Sequence, residues 1–284
     1  MNGAALESAA ARRLSLRGQL VLVLGGIVLL VLTVLVAGHL LGEAGTVTQL
    51  AVRNRPPSLQ YPFGTDWLGR DMLARTLQGL TLSLKVGLLA ATVSSLLALV
   101  LGLAAATLGR LVDTAISWLV DLFLSLPHLL LIIMIAFTLG GGTRGVIVAI
   151  ALTHWPALTR VIRAEALQVC SAEYVQLAYR LGRPRYRVAL EHILPHVLPQ
   201  LLVGLVLLFP HAILHEASIT FLGFGLSPHR PAIGVILSES MRFLASGQWW
   251  LAFFPGLALL LMLRAFDLLG EALRALLSPR TAQM

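Results

Sequence analysis

Between Ser171 and Pro195 the chain reads SAEYVQLAYRLGRPRYRVALEHILP, a polar interval carrying Arg180, Arg183, Arg185 and Arg187. On either side lie apolar runs about as long as a bilayer-crossing helix, which needs ~20 residues. This alternation constrains the fold more than any other feature. Hydrocarbon offers no partner to a backbone amide, so each apolar run has to close its hydrogen bonds internally, as a helix. With 57% hydrophobic and 12% charged residues and a mean hydropathy of +0.86, the chain departs from soluble domains, which carry about 25% charged residues. The basic interval is too short to be a domain. Its helical pattern breaks at Gly182 and Pro184. It reads as a short surface helix through which another protein moves this one.

Taken in order, residues 1–18 form a basic cytoplasmic tail and 19–41 a first span, too long for the apolar core of a signal peptide. Residues 42–82 form an external segment. Within it Pro62 and Gly64 make a turn, and Thr65 or Asp66 caps a helix. Leu68, Met72, Leu73, Leu77 and Leu80 share one face of that helix, and the pairs Asp66–Arg70 and Asp71–Arg75 share another. The pattern predicts an amphipathic helix lying at the outer interface. Further spans are predicted at 83–108, at 112–139 with Pro127 inside, and at 146–161, interrupted by His154, Trp155 and Pro156. The basic interval at 163–194 follows, then a span at 195–215. A second external segment at 216–247 is broken by Gly223, Gly225, Pro228, Pro231 and Gly234. The last span, 249–269, opens on paired tryptophans, as interfacial belts do, and 271–284 is a second cytoplasmic tail. The turn GGGTRG joins 140 to 145. Asp113, Asp121 and Glu165 are placed near the inner interface or paired with arginines.

With the N-terminus inside, thirteen of the 21 basic residues fall in cytoplasmic segments and seven outside, with Lys85 between. This bias fixes the orientation. The net charge of +8 therefore sets topology and does not mark a nucleic-acid partner, because the arginines are dispersed between spans. A single cysteine, Cys170, excludes a disulfide framework or a cysteine-based metal cluster.

No phosphate-cradling loop, metalloprotease helix or nucleophile elbow is present. The chain carries no catalytic machinery of its own, and intramembrane carboxylates of the kind that gradient-driven carriers use are few. Energy therefore comes from another subunit, with a stand-alone secondary carrier as the distant alternative.

From Glu173 and Tyr174 to Gly182, and nine residues on to His192-Ile-Leu-Pro195, the sequence resembles the EAA loop of permease subunits of bacterial ABC importers. Gln176-Leu177-Ala178 stands at E-A-A, and Leu194-Pro195 at the closing Leu-Pro. Gln176 departs from the family's negative charge. Phe63-Gly-Thr-Asp-Trp-Leu-Gly-Arg-Asp71, Phe221-Leu-Gly-Phe-Gly225 and Trp249-Trp-Leu-Ala-Phe-Phe-Pro-Gly256 with Asp267-Leu-Leu-Gly270 are similar to signatures of the dipeptide/oligopeptide/nickel subfamily.

The resemblance implies an all-α, six-span type I (MetI-like) permease in the bacterial inner membrane, with both termini cytoplasmic. It implies a heterodimer with a second permease, two cytosolic ATPase subunits and an extracytoplasmic substrate-binding protein. No cofactor is bound by this chain; ATP and Mg sit on the ATPases. Coupling falls to Glu173, Tyr174, Gln176, Ala178, Gly182, Arg183, Arg185 and Pro195. Phe221, Gly223, Gly225 and Glu239 belong to the outer gate and docking surface.

The cargo reading turns on histidine. His211 and His215 lie four residues apart on one helix face, Glu216 follows, and His154 comes earlier. Histidine with carboxylate suits transition metals, so these residues predict transient metal contact, with no tight site, in a permease for nickel or a metal–chelator complex. The alternative is a dipeptide or oligopeptide permease in which the histidines bond to neighbouring helices or line a wet passage.

Overall fold

The chain folds as a helical bundle; the computed structural model describes residues 16–41 and 46–277, and contains no strand among them. This meets the all-α expectation. The helices are α1 (Leu16–Leu40), α2 (Met72–Thr107), α3 (Arg110–Ser125), α4 (His128–Thr138), α5 (Gly142–Cys170) and α6 (Glu173–Arg180). A short turn of helix, α7 (Arg185–Val188), runs through a π-helical turn at Ala189–Ile193 into α8 (Leu194–Phe221). The chain closes with α9 (Ile233–Leu244) and α10 (Trp250–Leu277). Five of these stretches are long and apolar enough to cross a bilayer, and a sixth arises if α3 and α4 count as one span bent by 96°. The bend falls at Pro127, which cannot continue the hydrogen-bond ladder of the helix before it.

α2 is the spine. At ~1.5 Å per residue its 36 residues extend about 54 Å, and it packs along α5 and α8. One apolar core, including Leu84, Ala90, Ile150, Phe209, Ile213 and Ile233, fills the upper bundle. A second, including Ala98, Val120, Trp155, Ile162, Val175, Val188, Ile193 and Val197, fills the other end. α1 buries little beyond Ile27 and Val34. Its remaining apolar surface suits lipid, which asks nothing of a Leu or Val side chain.

Three expectations change. The separate interfacial helix within 65–82 does not form. Gly64 and Gly69 adopt φ of 72° and 74°, a region that glycine enters without penalty. The Asp66 carboxylate accepts from the backbone N–H of Leu68 and of Arg70, both at 2.9 Å. Residues 64–70 therefore close into a tight loop. Asp71 caps the helix, accepting from the Leu73 N–H at 2.8 Å, and α2 then runs straight into the apolar span. Second, α5 is longer than the apolar run 146–161. Its polar end stays helical beside α3, where Asp113 pairs with Arg163 and Asp121 with Arg160. Third, 112–139 is two helices. Of the tails expected at 1–18 and 271–284, residues 1–15 and 278–284 lie outside the described residues, while 271–277 continue the last helix and so depart from the expected tail.

Candidate functional site

At one end of α2 the chain forms an elbow. α6 ends on a glycine cap: the Gly182 N–H donates to the Tyr179 carbonyl at 3.0 Å and the Arg183 N–H to that of Ala178 at 3.1 Å. Such a cap requires a left-handed residue, and Gly182 has φ 79°. A side chain here would meet nothing within 4 Å. The glycine is thus needed for its backbone angle, and not for close approach within this chain.

Pro184 restarts the chain, Arg183 Nη1 pairs with Glu191 at 2.5 Å, and Pro195 sits in the first turn of α8. Val175 and Ala178 are buried, fixing α6 to the lower core. The opposite side stays open: Tyr174, Leu177, Leu181, Tyr186 and Leu190 are all exposed, Leu181 by 74%. Glu173 opens α6, where its charge suits the helix N-terminus. The result is an exposed apolar crest set among Arg180, Arg183, Arg185 and Arg187.

Gln176 explains its own departure from the expected glutamate. Its side-chain N–H donates to the Cys170 carbonyl at 2.7 Å, closing the C-terminal end of α5 onto α6. A carboxylate has no proton to give and would face that oxygen unfavourably. Gln176→Glu should therefore lower stability by about 1 kcal/mol, the usual worth of one hydrogen bond. A thermal melt of the purified protein checks this; an unchanged midpoint would leave the bond without a role.

At the far end the loop 64–71 is clamped by charge. Arg75 Nη1 lies 2.7 Å from Asp66 and its Nη2 3.0 Å from Glu239 on α9, while Arg70 Nε lies 2.6 Å from Asp66. Asp66–Arg70 pairs as the sequence predicts. The expected Asp71–Arg75 pair gives way, because Asp71 is occupied as a cap. Trp67 stacks on Phe243 at 4.7 Å under the Arg70 guanidinium, and Trp250 Nε1–H donates to the Thr65 carbonyl at 3.3 Å.

Glu239 also lines a cavity of about 360 Å³ with Trp67, Gly223, Pro228 and Arg242. Gly223, at φ 87°, caps α8. The carbonyl of Gly225 accepts from Gly142 N–H at 3.2 Å, tying this loop to the 140–142 turn. Phe221, at the end of α8, is partly exposed.

Between the two ends, α4, α5, α8 and α10 border an open cavity of about 390 Å³ lined by His128, His154, His211, His215, Gln200 and Arg274, among others. The sequence reading assembled three of these histidines and missed His128, although it directly follows the proline at the bend. Glu216 does not join them. It is fully buried on another face of α8, accepting from the Thr220 hydroxyl at 3.0 Å. The Thr220 oxygen in turn accepts from Leu226 N–H at 3.1 Å, so this carboxylate anchors the loop after α8.

Residues 98–283 match the family described as binding-protein-dependent transport system inner membrane component. The chain is 36% identical over 269 residues to a putative peptide transport system permease protein of Brucella suis, covering 95% of this chain and 89% of that one. It is 33% identical to the dipeptide transport system permease protein of Bacillus subtilis, over 89% of this chain and 80% of that one. It is 34% identical to a probable D,D-dipeptide transport system permease protein of Escherichia coli, over 89% and 85%. Among solved structures, a chain of the MetNI methionine ABC transporter in inward-facing conformations aligns with a TM-score of 0.59 at 18% identity, over 73% of this chain and 98% of that one.

Proposed function

Because the chain belongs to the family of binding-protein-dependent transport system inner membrane components and is a multi-pass inner-membrane protein of MetI-like fold, we propose that it is the non-catalytic permease subunit of an ATP-driven importer of short peptides. The observation that carries the cargo is the identity of 33–36% across most of the chain to permeases whose names specify peptides or dipeptides. The nickel reading has no counterpart in those names, and the separation of Glu216 from the histidines removes the carboxylate on which it partly stood. The histidines still line a cavity, but a cavity of this volume with mixed polar and apolar walls also accommodates a small peptide.

In this reading the chain pairs with a second, homologous permease. The exposed crest of the elbow seats in one of two cytosolic ATPases, which hold ATP and Mg. The opposite end, with Phe221, Gly223, Gly225 and Glu239, meets an extracytoplasmic binding protein. Closure of the ATPases moves the elbow, and the elbow, packed into the lower core, moves α5 and α8 together. This is a rigid-body route to alternating access.

The test is uptake. Proteoliposomes holding both permeases, both ATPases and the binding protein should accumulate a labelled dipeptide only with internal ATP and magnesium. Uptake that persists without the ATPases would make the chain a stand-alone carrier. Accumulation of nickel with no competition from dipeptides would restore the metal reading.

A further inference from the structure

We propose that His128, His154 and His215 form a binding site for one divalent transition-metal ion, built across three helices and independent of the cargo the importer carries. The three imidazoles form a closed triangle. Their ring centroids are 4.6, 4.8 and 5.0 Å apart, with each pair of rings steeply inclined at 73–79°. One nitrogen from each lies within 4.8 Å of the others. Ligands held tetrahedrally at ~2.0–2.1 Å from an ion stand about 3.4 Å apart. His154 Nε2 lies 3.3 Å from His215 Nδ1. With all three nitrogens within 4.8 Å of one another, no pair has to close by more than ~1.4 Å.

The surroundings suit ligation. Ligating histidines usually give their second ring N–H to a carbonyl, which fixes the tautomer. His154 Nδ1 lies 3.0 Å from the Ile150 carbonyl and His215 Nδ1 2.8 Å from that of His211. The first bond orients the His154 ring and leaves its Nε2 with a free lone pair; His215 Nδ1 lies between the His211 carbonyl and His154 Nε2, so it ligates only in the tautomer with its proton on Nε2, giving up the carbonyl bond. His128 stands at the first position of α4, immediately beyond the 96° bend. An all-imidazole set favours ions of the zinc, copper or nickel class over calcium or magnesium. The cavity leaves the fourth position open to water or an anion, with Arg274 in the wall to favour the anion. His211 lines the same cavity but stands outside the triangle.

The ligands come from α4, α5 and α8, so a bound ion would tie the broken span to the two helices that carry the elbow. Occupancy should therefore slow transport while leaving assembly intact.

The complete importer, purified without a polyhistidine tag and in the absence of nucleotide, is titrated with cobalt(II). Intense visible absorption of tetrahedral character, saturating at one ion per complex above the level of the His128→Ala complex and displaced by zinc, is the expected result. His128→Ala and His154→Gln should weaken binding at least tenfold, and His211→Ala should retain it. No saturable binding in the unsubstituted complex overturns the site, whatever the variants do, and so does an unchanged spectrum in a well-folded His128→Ala complex. The readout uses no cargo, so its failure leaves the peptide reading standing, and failure of peptide uptake leaves the site standing.

Discussion

An Asp66→Ala protein should be the least stable of the single variants considered, by about 3–5 kcal/mol. Asp66 is fully buried and accepts from two guanidiniums, and the Arg75 side chain is only 4% exposed. Removing the carboxylate leaves Arg75 buried beside a single remaining partner, and breaking a buried pair from one side costs that much. It also removes the side-chain acceptor of the Leu68 and Arg70 backbone N–H groups that folds 64–70, so the cap at Asp71 loses its support. Glu239→Gln is the control: its side chain is 26% exposed, water can replace the lost charge, and the expected loss is no more than about 1 kcal/mol. Thermal unfolding of the two purified variants in the same detergent separates them. Equal midpoints would mean that the network contributes nothing beyond its geometry.

Replacing Gly182 with valine should uncouple ATP hydrolysis from uptake. A left-handed backbone costs an L-residue roughly 1–2 kcal/mol, and a β-branched residue is a genuine outlier there. On an eight-residue helix with one buried edge, this shifts the capped and frayed forms by about 5–30-fold. Asn, which tolerates the left-handed region, is the discriminating substitution. If the angle is what matters, Gly182→Asn keeps most of the uptake per ATP and Gly182→Val loses it. If both fail alike, the ATPase groove excludes any side chain and the contact itself demands glycine.

Much of the architecture was legible because it is local. Apolar runs near bilayer length and the proline and glycine punctuation at 182, 184 and 127 predict helices and breaks without reference to partners. Asp66–Arg70, four residues apart, was readable for the same reason. What failed was non-local. Arg75 finds Glu239 164 residues away, and no spacing rule connects them. His128, His154 and His215 come from three helices, so only the bend after Pro127 brings the first to the others. The interfacial helix does not stand apart because its apolar pattern continues without a break into α2. Asp71, and not Thr65 or Asp66, proved to be the cap, since Asp66 was already committed to the loop. Gln176 looked like a defect by charge and is a hydrogen-bond donor by geometry.

The π-helical turn at Ala189–Ile193 has a mechanical meaning. On its α6 side the elbow is stiffened by a glycine cap and by side chains sunk in the lower core; on its other side the 28-residue α8 carries Pro195 in its first turn and Pro199 and Pro210 further along. Load applied at the crest is therefore not absorbed on the α6 side. The wide turn that follows, with the ladder bond missing at Pro199 one turn on, is where the linkage yields, and it sets how far the crest travels before the rest of α8 has to follow.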